Sequence, residues 1–209
     1  MAVIIDRGMR EMLVEQQDVF YYVTLMNENY AQPDLPPGVE EDVVRGCYRF
    51  ASIEAAAGLG GTGRRVTLLG SGAILTEVLL AARQLASEGI ACDVFSVTSW
   101  SELARDGQAW EQRALAASGA EPGTGAGPVG EALPFIARQL SASQGPVIAA
   151  TDYVRAVPES VRAWLPAGRR YLTLGTDGFG RSDTRAALRE FFGVDAAHIV
   201  RAACHALAS

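Results

Sequence analysis

The sequence predicts an α/β protein: a three-layer domain built on a mostly parallel sheet, preceded by an N-terminal helix-strand arm. Three observations carry that expectation. From Arg64 onward, short all-apolar runs alternate with stretches of helical periodicity, the pattern of parallel strands covered by helices on both faces. A hydrophobic content of 49% in 209 residues is enough for one substantial core. Pro33, Pro36 and Pro37 keep residues 31–38 extended and unable to form a regular helix, which sets the first 30 residues apart.

In chain order, Val3, Ile4, Ile5, Met9, Met12 and Leu13 recur on one helical face with charges between them, predicting a helix over about 3–14. Residues 19–25, VFYYVTL, are β-branched and aromatic and predict a strand. One helix and one strand cannot cover their own apolar faces, so residues 1–30 read as the end of a larger domain or as a docking arm. Residues 31–63 read as linker and connecting elements. Within them, Val43, Val44, Cys47 and Tyr48 suit one face of a short helix, and Gly46 followed by residues 47–53 suits a turn and a strand equally well.

Residues 64–209 form the predicted main domain. Its strands are expected at 66–69, 92–97, 147–150 and 171–174. GSG at 70–72 opens a helix over 73–87 that Gly89 stops, and Ser99 with Glu102 makes a capping box for a short helix over 100–104. Residues 116–130 are rich in Gly, Ala and Pro and predict a mobile loop. Helices follow at 133–140, 154–165 and 184–192, and residues 196–207 predict a final helix or a strand-helix mixture.

Eighteen basic against 24 acidic residues give a net charge of -6 with no basic stripe, which argues against a nucleic-acid partner. No run of about 20 apolar residues occurs, and Asp6, Arg7, Arg10 and Glu11 fall too early for a secretory signal, so neither membrane insertion nor export is expected. Cys47, Cys92 and Cys204 lack ligand-like spacing and predict reduced structural thiols in a cytoplasmic setting.

Strand ends that open into helices are where such sheets place their contacts. The densest charge group there is Asp177, Arg181 and Asp183, set among Gly175, Gly178, Phe179 and Gly180. Ser182 or Asp183 is expected to cap the following helix, and Arg181 to meet an acidic group on a partner subunit. Asp152 ends another strand and is expected to cap a helix or face the same crevice as Asp177. Arg105 and Asp106 are expected at the mouth of that crevice. Asn27, Glu28 and Asn29 form a polar cluster after the first strand, with Glu28 the weak acid-base candidate; no other catalytic, cofactor or metal residue is assigned. The GSG turn lacks both GxGxxG spacing and a Walker lysine and reads as a tight structural turn, with a small-anion module built on it and Arg181 as an outside reading. His198 and His205, seven apart and without a paired acid nearby, read as structural or surface residues.

Five ordered blocks carry a resemblance: DVFYYVTLMNENY at 18–30, LLGSGAIL at 68–75, DVFSVTSWSELARDGQ at 93–108, ATDYVRAVPESVRAWLP at 150–166 and LGTDGFGRSD at 174–183. They are similar to the C-terminal portion of the homodimeric-type pyruvate dehydrogenase E1 component, and FGRSD with the downstream FFGVD resembles the wider transketolase C-terminal domain. The resemblance implies that the N-terminal arm matches the last helix and strand of a pyrimidine-binding domain. It implies an enzyme that uses thiamine diphosphate and magnesium to decarboxylate a 2-oxo acid, then passes the acyl group to a lipoyl acyltransferase. The magnesium-diphosphate motif and the acid that activates the cofactor lie outside these 209 residues. The chain is therefore expected to be silent alone, to need a chain bearing the diphosphate- and pyrimidine-binding domains, and to act in a homo- or hetero-oligomer. Alternatives are a non-catalytic interaction or regulatory domain derived from E1, and part of a split thiamine-dependent carboligase. Residues 116–130, and ALREFF in place of a histidine-containing segment, depart from the family pattern, as does the lack of a long tail after the last helix.

Overall fold

A computed structural model of the chain describes residues 1–26, 29, 31, 33–56, 63–118 and 132–208. Five strands make one sheet in the order β1-β3-β2-β4-β5, with β1 (Cys47–Ile53), β2 (Arg65–Ser71), β3 (Ala91–Val97), β4 (Val147–Ala150) and β5 (Tyr171–Leu174). The four strands β2 to β5 run parallel, and β1 joins β3 antiparallel as one edge. The sheet thus begins at Cys47, inside the span read as linker, rather than at residue 64. Of the two readings open for residues 39–57, both are realised in succession: a short α2 (Glu40–Val44), a turn at Gly46 with φ +103, then β1.

Side chains alternate across each strand, so one run of apolar residues feeds two cores. Val66, Leu68, Cys92, Val94 and Ile148 meet α3 (Ile74–Ser87) and α8 (Ala196–Ala208) on one face. Leu69, Phe95, Val97, Val147 and Tyr171 meet α4 (Trp100–Ser118) and α5 (Phe135–Leu140) on the other, with Val161 filling the gap. Cys47 and Cys92 are free and buried, and Cys204 is free and half-buried; burial pushes the Cys92 thiol up to about 12.

Two predicted helices differ in extent. Ser99 does cap α4, its Oγ accepting from the Glu102 N–H at 3.2 Å, but the helix runs on to Ser118. A capping box marks a start and says nothing about a stop; Gly107 lies inside the helix, where a Cβ would meet the Trp164 ring at 2.2 Å. The predicted helix over 154–165 splits into α6 (Ala156–Glu159) and a 3₁₀ turn at Arg162–Trp164. The Pro158 carbonyl, which a continuous helix would give to the Arg162 N–H, accepts the Tyr171 hydroxyl at 2.8 Å instead. Residues 196–207 are wholly helical. Residues 116–118 belong to α4, and 119–130 of the predicted loop lie outside the described residues.

Ahead of the sheet, α1 (Ala2–Met9) passes into a π-helical turn at Arg10–Val14, within the predicted span. Residues 19–25 form no strand. A strand needs a hydrogen-bonded neighbour, and among the described residues none lies beside it. The segment instead folds back on α1, where Tyr21 packs over Gly8 and donates to Glu11 at 2.7 Å. Arg7 pairs with Glu41, and Thr24 Oγ1 meets Tyr153 Oη at 2.6 Å, which ties the arm to the body.

Candidate functional site

Two strands set the site. The chain leaves β2 toward β3 on one side and later enters β4 on the other, so the strand order reverses between β2 and β4. At such a switch point the connections diverge and leave a crevice beyond the carboxyl ends of the strands. Here the crevice is a cavity of about 460 Å³ lined after β2 by Ala73 and Ile74, after β4 by Asp152, and after β5 by Thr176. Its outer wall is the glycine loop and α7 (Arg185–Phe192), with Met26 contributed by the arm.

Local bonds hold each wall. Ser71 Oγ donates to Thr151 Oγ1 at 2.8 Å across the buried ends of β2 and β4, and Gly72, at φ +55, turns the chain into α3. Thr176 Oγ1 donates to the Asp152 carbonyl at 2.8 Å, and the Thr176 N–H to the Tyr153 carbonyl at 2.9 Å. Gly175 permits this approach, since a Cβ there would lie 2.6 Å from the Tyr153 carbonyl. Thr184 caps α7 by accepting from the Ala187 N–H at 3.3 Å, and Gly193 ends the helix in the left-handed region at φ 69, turning Val194 into the crevice. The capping oxygen is therefore Thr184's, and Asp183 accepts the adjacent Thr184 N–H at 2.7 Å.

Electrostatically, the crevice is lined by three arginines and two acids. Arg189 pairs with Glu77 at 2.8 Å, and Arg181 lies 4.0 Å from the centre of the Phe191 ring, so its first contact is aromatic rather than acidic. Asp152 does not cap a helix: α6 begins at Arg155 without a side-chain cap. Its half-buried carboxyl faces the space above Gly72, and burial pushes its pKa above the usual carboxylate value, against its own backbone N–H and the charge of Arg189.

Of the predicted site residues, Asp152, Arg181 and Asp183 come together here. Asp177 does not line the cavity; its carboxylate accepts the Arg155 N–H at 2.9 Å and bonds the Arg155 guanidinium, which holds its pKa down. Phe179 is 96% exposed outside the crevice. Arg105 and Asp106 lie along α4 rather than at the crevice mouth. Arg105 pairs with Glu102, and Asp106 pairs with Arg45 at 3.3 Å and accepts the Phe135 N–H at 2.6 Å. Asn27 and Glu28 lie outside the described residues, and Asn29 is exposed. His198 has the acid partner not expected from sequence: its Nδ1 is 2.6 Å from Asp195. Sequence reading missed Met26, Ile74, Arg189 and Phe192; the i, i+4 spacing of Arg185 and Arg189 on one helix was the available signal for the third.

Among the described residues no three His, Cys, Asp or Glu side chains gather as a metal site, and no described helix is long and apolar enough to cross a membrane. Comparison with known proteins supplies the remaining findings. The model of the transketolase-like TK C-terminal domain matches residues 46–195, and that of the pyruvate dehydrogenase E1 component middle domain matches residues 1–33. The pyruvate dehydrogenase E1 component of Pseudomonas aeruginosa is 46% identical, over 100% of this chain and 22% of that protein. That of Cupriavidus necator is 45% identical over 100% and 22%, and that of Escherichia coli 43% over 99% and 22%. The chain thus spans about a fifth of the length of these curated relatives. The solved transketolase of Campylobacter jejuni is 19% identical, with a TM-score of 0.47 over 78% of this chain and 19% of that one. By the match over most of its length, the chain belongs to the transketolase-like C-terminal domain family, in a form similar to that of pyruvate dehydrogenase E1 components.

Proposed function

We propose that the chain is the C-terminal assembly portion of a thiamine-diphosphate-dependent 2-oxo acid dehydrogenase of the E1 type, with pyruvate as the acid. The observation that carries this reading is the arm. Residues 1–33 match the E1 middle domain, and their apolar side chains are left uncovered: Leu13 is 69% exposed, Phe20 86% and Tyr22 85%. An apolar surface of this kind asks for a protein partner. In this proposal residues 1–30 complete a pyrimidine-binding domain, the stretch before β1 connects, and β1 with residues 64–209 forms the assembly domain.

Bound thiamine diphosphate with its magnesium would supply the electron sink for decarboxylation. In this reading the groups that hold that cofactor lie outside the described residues, among which no three His, Cys, Asp or Glu side chains gather. The reading places the cofactor domains outside residues 1–209, with a lipoyl acyltransferase as acyl acceptor and a cytoplasmic setting. Glu28 remains the single acid-base candidate in this chain, and Asn27, Asn29, Asp177, Phe179, Arg105 and Asp106 are proposed as subunit contacts. This chain's own work is to hold the arm, through Arg7 with Glu41 and Thr24 with Tyr153, against the domain it completes.

The test is thiamine-diphosphate-dependent turnover of 2-oxo acids after co-expression with a polypeptide bearing the two cofactor domains, each polypeptide alone serving as control. Turnover only in the mixture supports the proposal. A stable, cofactor-loaded complex that turns over neither pyruvate nor branched 2-oxo acids overturns it and leaves a non-catalytic interaction role.

A further inference from the structure

We propose that the switch-point crevice binds a small organic ammonium ion, with its charge on the Asp152 carboxylate and its apolar body against Ile74, Phe192 and Val194. Position comes first: the cavity of about 460 Å³ sits beyond the carboxyl ends of β2, β4 and β5, where an open α/β sheet offers its ligand crevice, and its volume suits a small molecule. Its lining is largely apolar, with Met26 of the arm closing one side and few polar groups to fix an orientation.

Charge pairing then selects the class. Every cation in the lining is already engaged: Arg181 on the Phe191 ring at 4.0 Å, Arg189 with Glu77 at 2.8 Å, and Arg185 in an interaction of its own. An anion entering the crevice would have to compete with Glu77 for Arg189. Other half-buried or buried acids of the domain have cations at hand, Asp93 with Arg65 at 3.2 Å, Asp106 with Arg45 at 3.3 Å and Asp195 with His198 at 2.6 Å. Among the described residues Asp152 has no such partner within ion-pair distance; its carboxylate accepts its own backbone N–H and feels the charge of Arg189. A half-buried carboxylate left in this condition gains most from a ligand that brings both a positive charge and N–H donors. Gly72 borders the carboxylate, since a Cβ there would stand in ordinary contact, 3.7 Å and 4.0 Å from the two Asp152 oxygens. The inference does not rest on the enzymatic reading, since it uses only groups of this domain and of the arm folded against it.

The experiment is a titration of the ¹⁵N-labelled chain with 2-phenylethylammonium, with its neutral isostere 2-phenylethanol and with 3-phenylpropionate, followed by amide chemical shifts. The ammonium ion is expected to shift Gly72, Asp152, Thr176 and Val194 and to bind about tenfold more tightly than the alcohol, the scale of one hydrogen bond to a charged group. Asp152→Asn, which preserves the side-chain volume, should erase that preference, and Asp177→Asn should leave it intact, because Asp177 is paired with Arg155 outside the cavity. Equal binding of ammonium and alcohol, preference for the carboxylate, retention of the preference in Asp152→Asn, or no shifts at these amides up to about 10 mM ligand would each overturn the proposal.

Discussion

The arm and the sheet are both rich in large apolar residues, yet they treat them in opposite ways. Leu68, Phe95, Leu103 and Ile148 of the sheet and its helices are all but inaccessible, whereas Leu13, Phe20, Tyr22 and Leu25 of the arm stand open. Composition does not separate the two regions. What separates them is the supply of neighbours: each central strand has a partner on both sides and a helix on each face, and residues 19–25 have no strand beside them among the described residues. An apolar run becomes a strand only where another strand completes its hydrogen bonds.

The sharpest way to break this comparison is a pair of truncations. Leu68→Ala should destabilise the chain by about 2–5 kcal/mol in urea unfolding, through lost burial and the cavity left behind. Phe20→Ala should change it by no more than about 0.5 kcal/mol, as for an exposed site. Equal costs at the two positions would mean that the arm is packed as the sheet is. Next in size is Arg169, a half-buried cation that donates to the carbonyls of Gly145 (2.6 Å) and Gln144 (3.1 Å) and to Thr67 Oγ1 (2.6 Å) at the amino ends of the strands. Arg169→Met strips those acceptors of their donor and should cost about 3 kcal/mol. Thr184→Ala removes the α7 cap and should cost about 1 kcal/mol while loosening the crevice wall; calorimetry on both variants would rank them.

The smallest effect depends on pH. Burial raises the folded-state pKa of Asp152 above its ordinary value of 3.8, so the folded chain holds this proton more tightly than the unfolded one. Its contribution to stability therefore falls as pH rises from the ordinary value through the raised one. Asp152→Asn should accordingly melt higher than the parent at pH 7, and the gain should fade as the pH is lowered through the carboxylate range. Glu159 gives the opposite slope: its bond to Arg162 lowers its pKa, so its stabilisation is present above the ordinary value of 4.5 and is lost on acidification. A melting series in which Asp152→Asn showed no gain at pH 7 would mean that the crevice is wetter than its lining indicates.

The same contrast explains what was legible in the sequence. The strands at 66–69, 92–97, 147–150 and 171–174 could be read because all-apolar runs bounded by turns are a local signal, and they lie within β2 to β5. β1 stayed undecided against a helix because its residues mix Arg49 and Ser52 with apolar ones, as an edge strand allows. Residues 19–25 carried the composition of a strand without the neighbour, a fact held in no local window. At the site, Asp152, Arg181 and Asp183 were found because strand-end acids and a glycine loop mark a rim. Met26 and Ile74 were not, since apolar residues give no sign of which cavity they line. The pairing of Glu77 with Arg189, 112 residues apart, is set by the packing of α3 against the C-terminal elements and by nothing near either residue. Asp177 looked like a crevice acid and is instead the partner of Arg155, which only the approach of two strand-end loops reveals.

The account's central claim is that residues 19–25 wait for a sheet supplied by another domain. Hydrogen–deuterium exchange of those amides tests it most directly, measured on the chain alone and in complex with a polypeptide bearing the E1 middle and cofactor domains. The account predicts fast exchange alone and strong protection in the complex, in the alternating pattern of a paired strand, while the amides of β2 and β4 are protected in both. A stable complex in which residues 19–25 exchange as fast as in the free chain would contradict it.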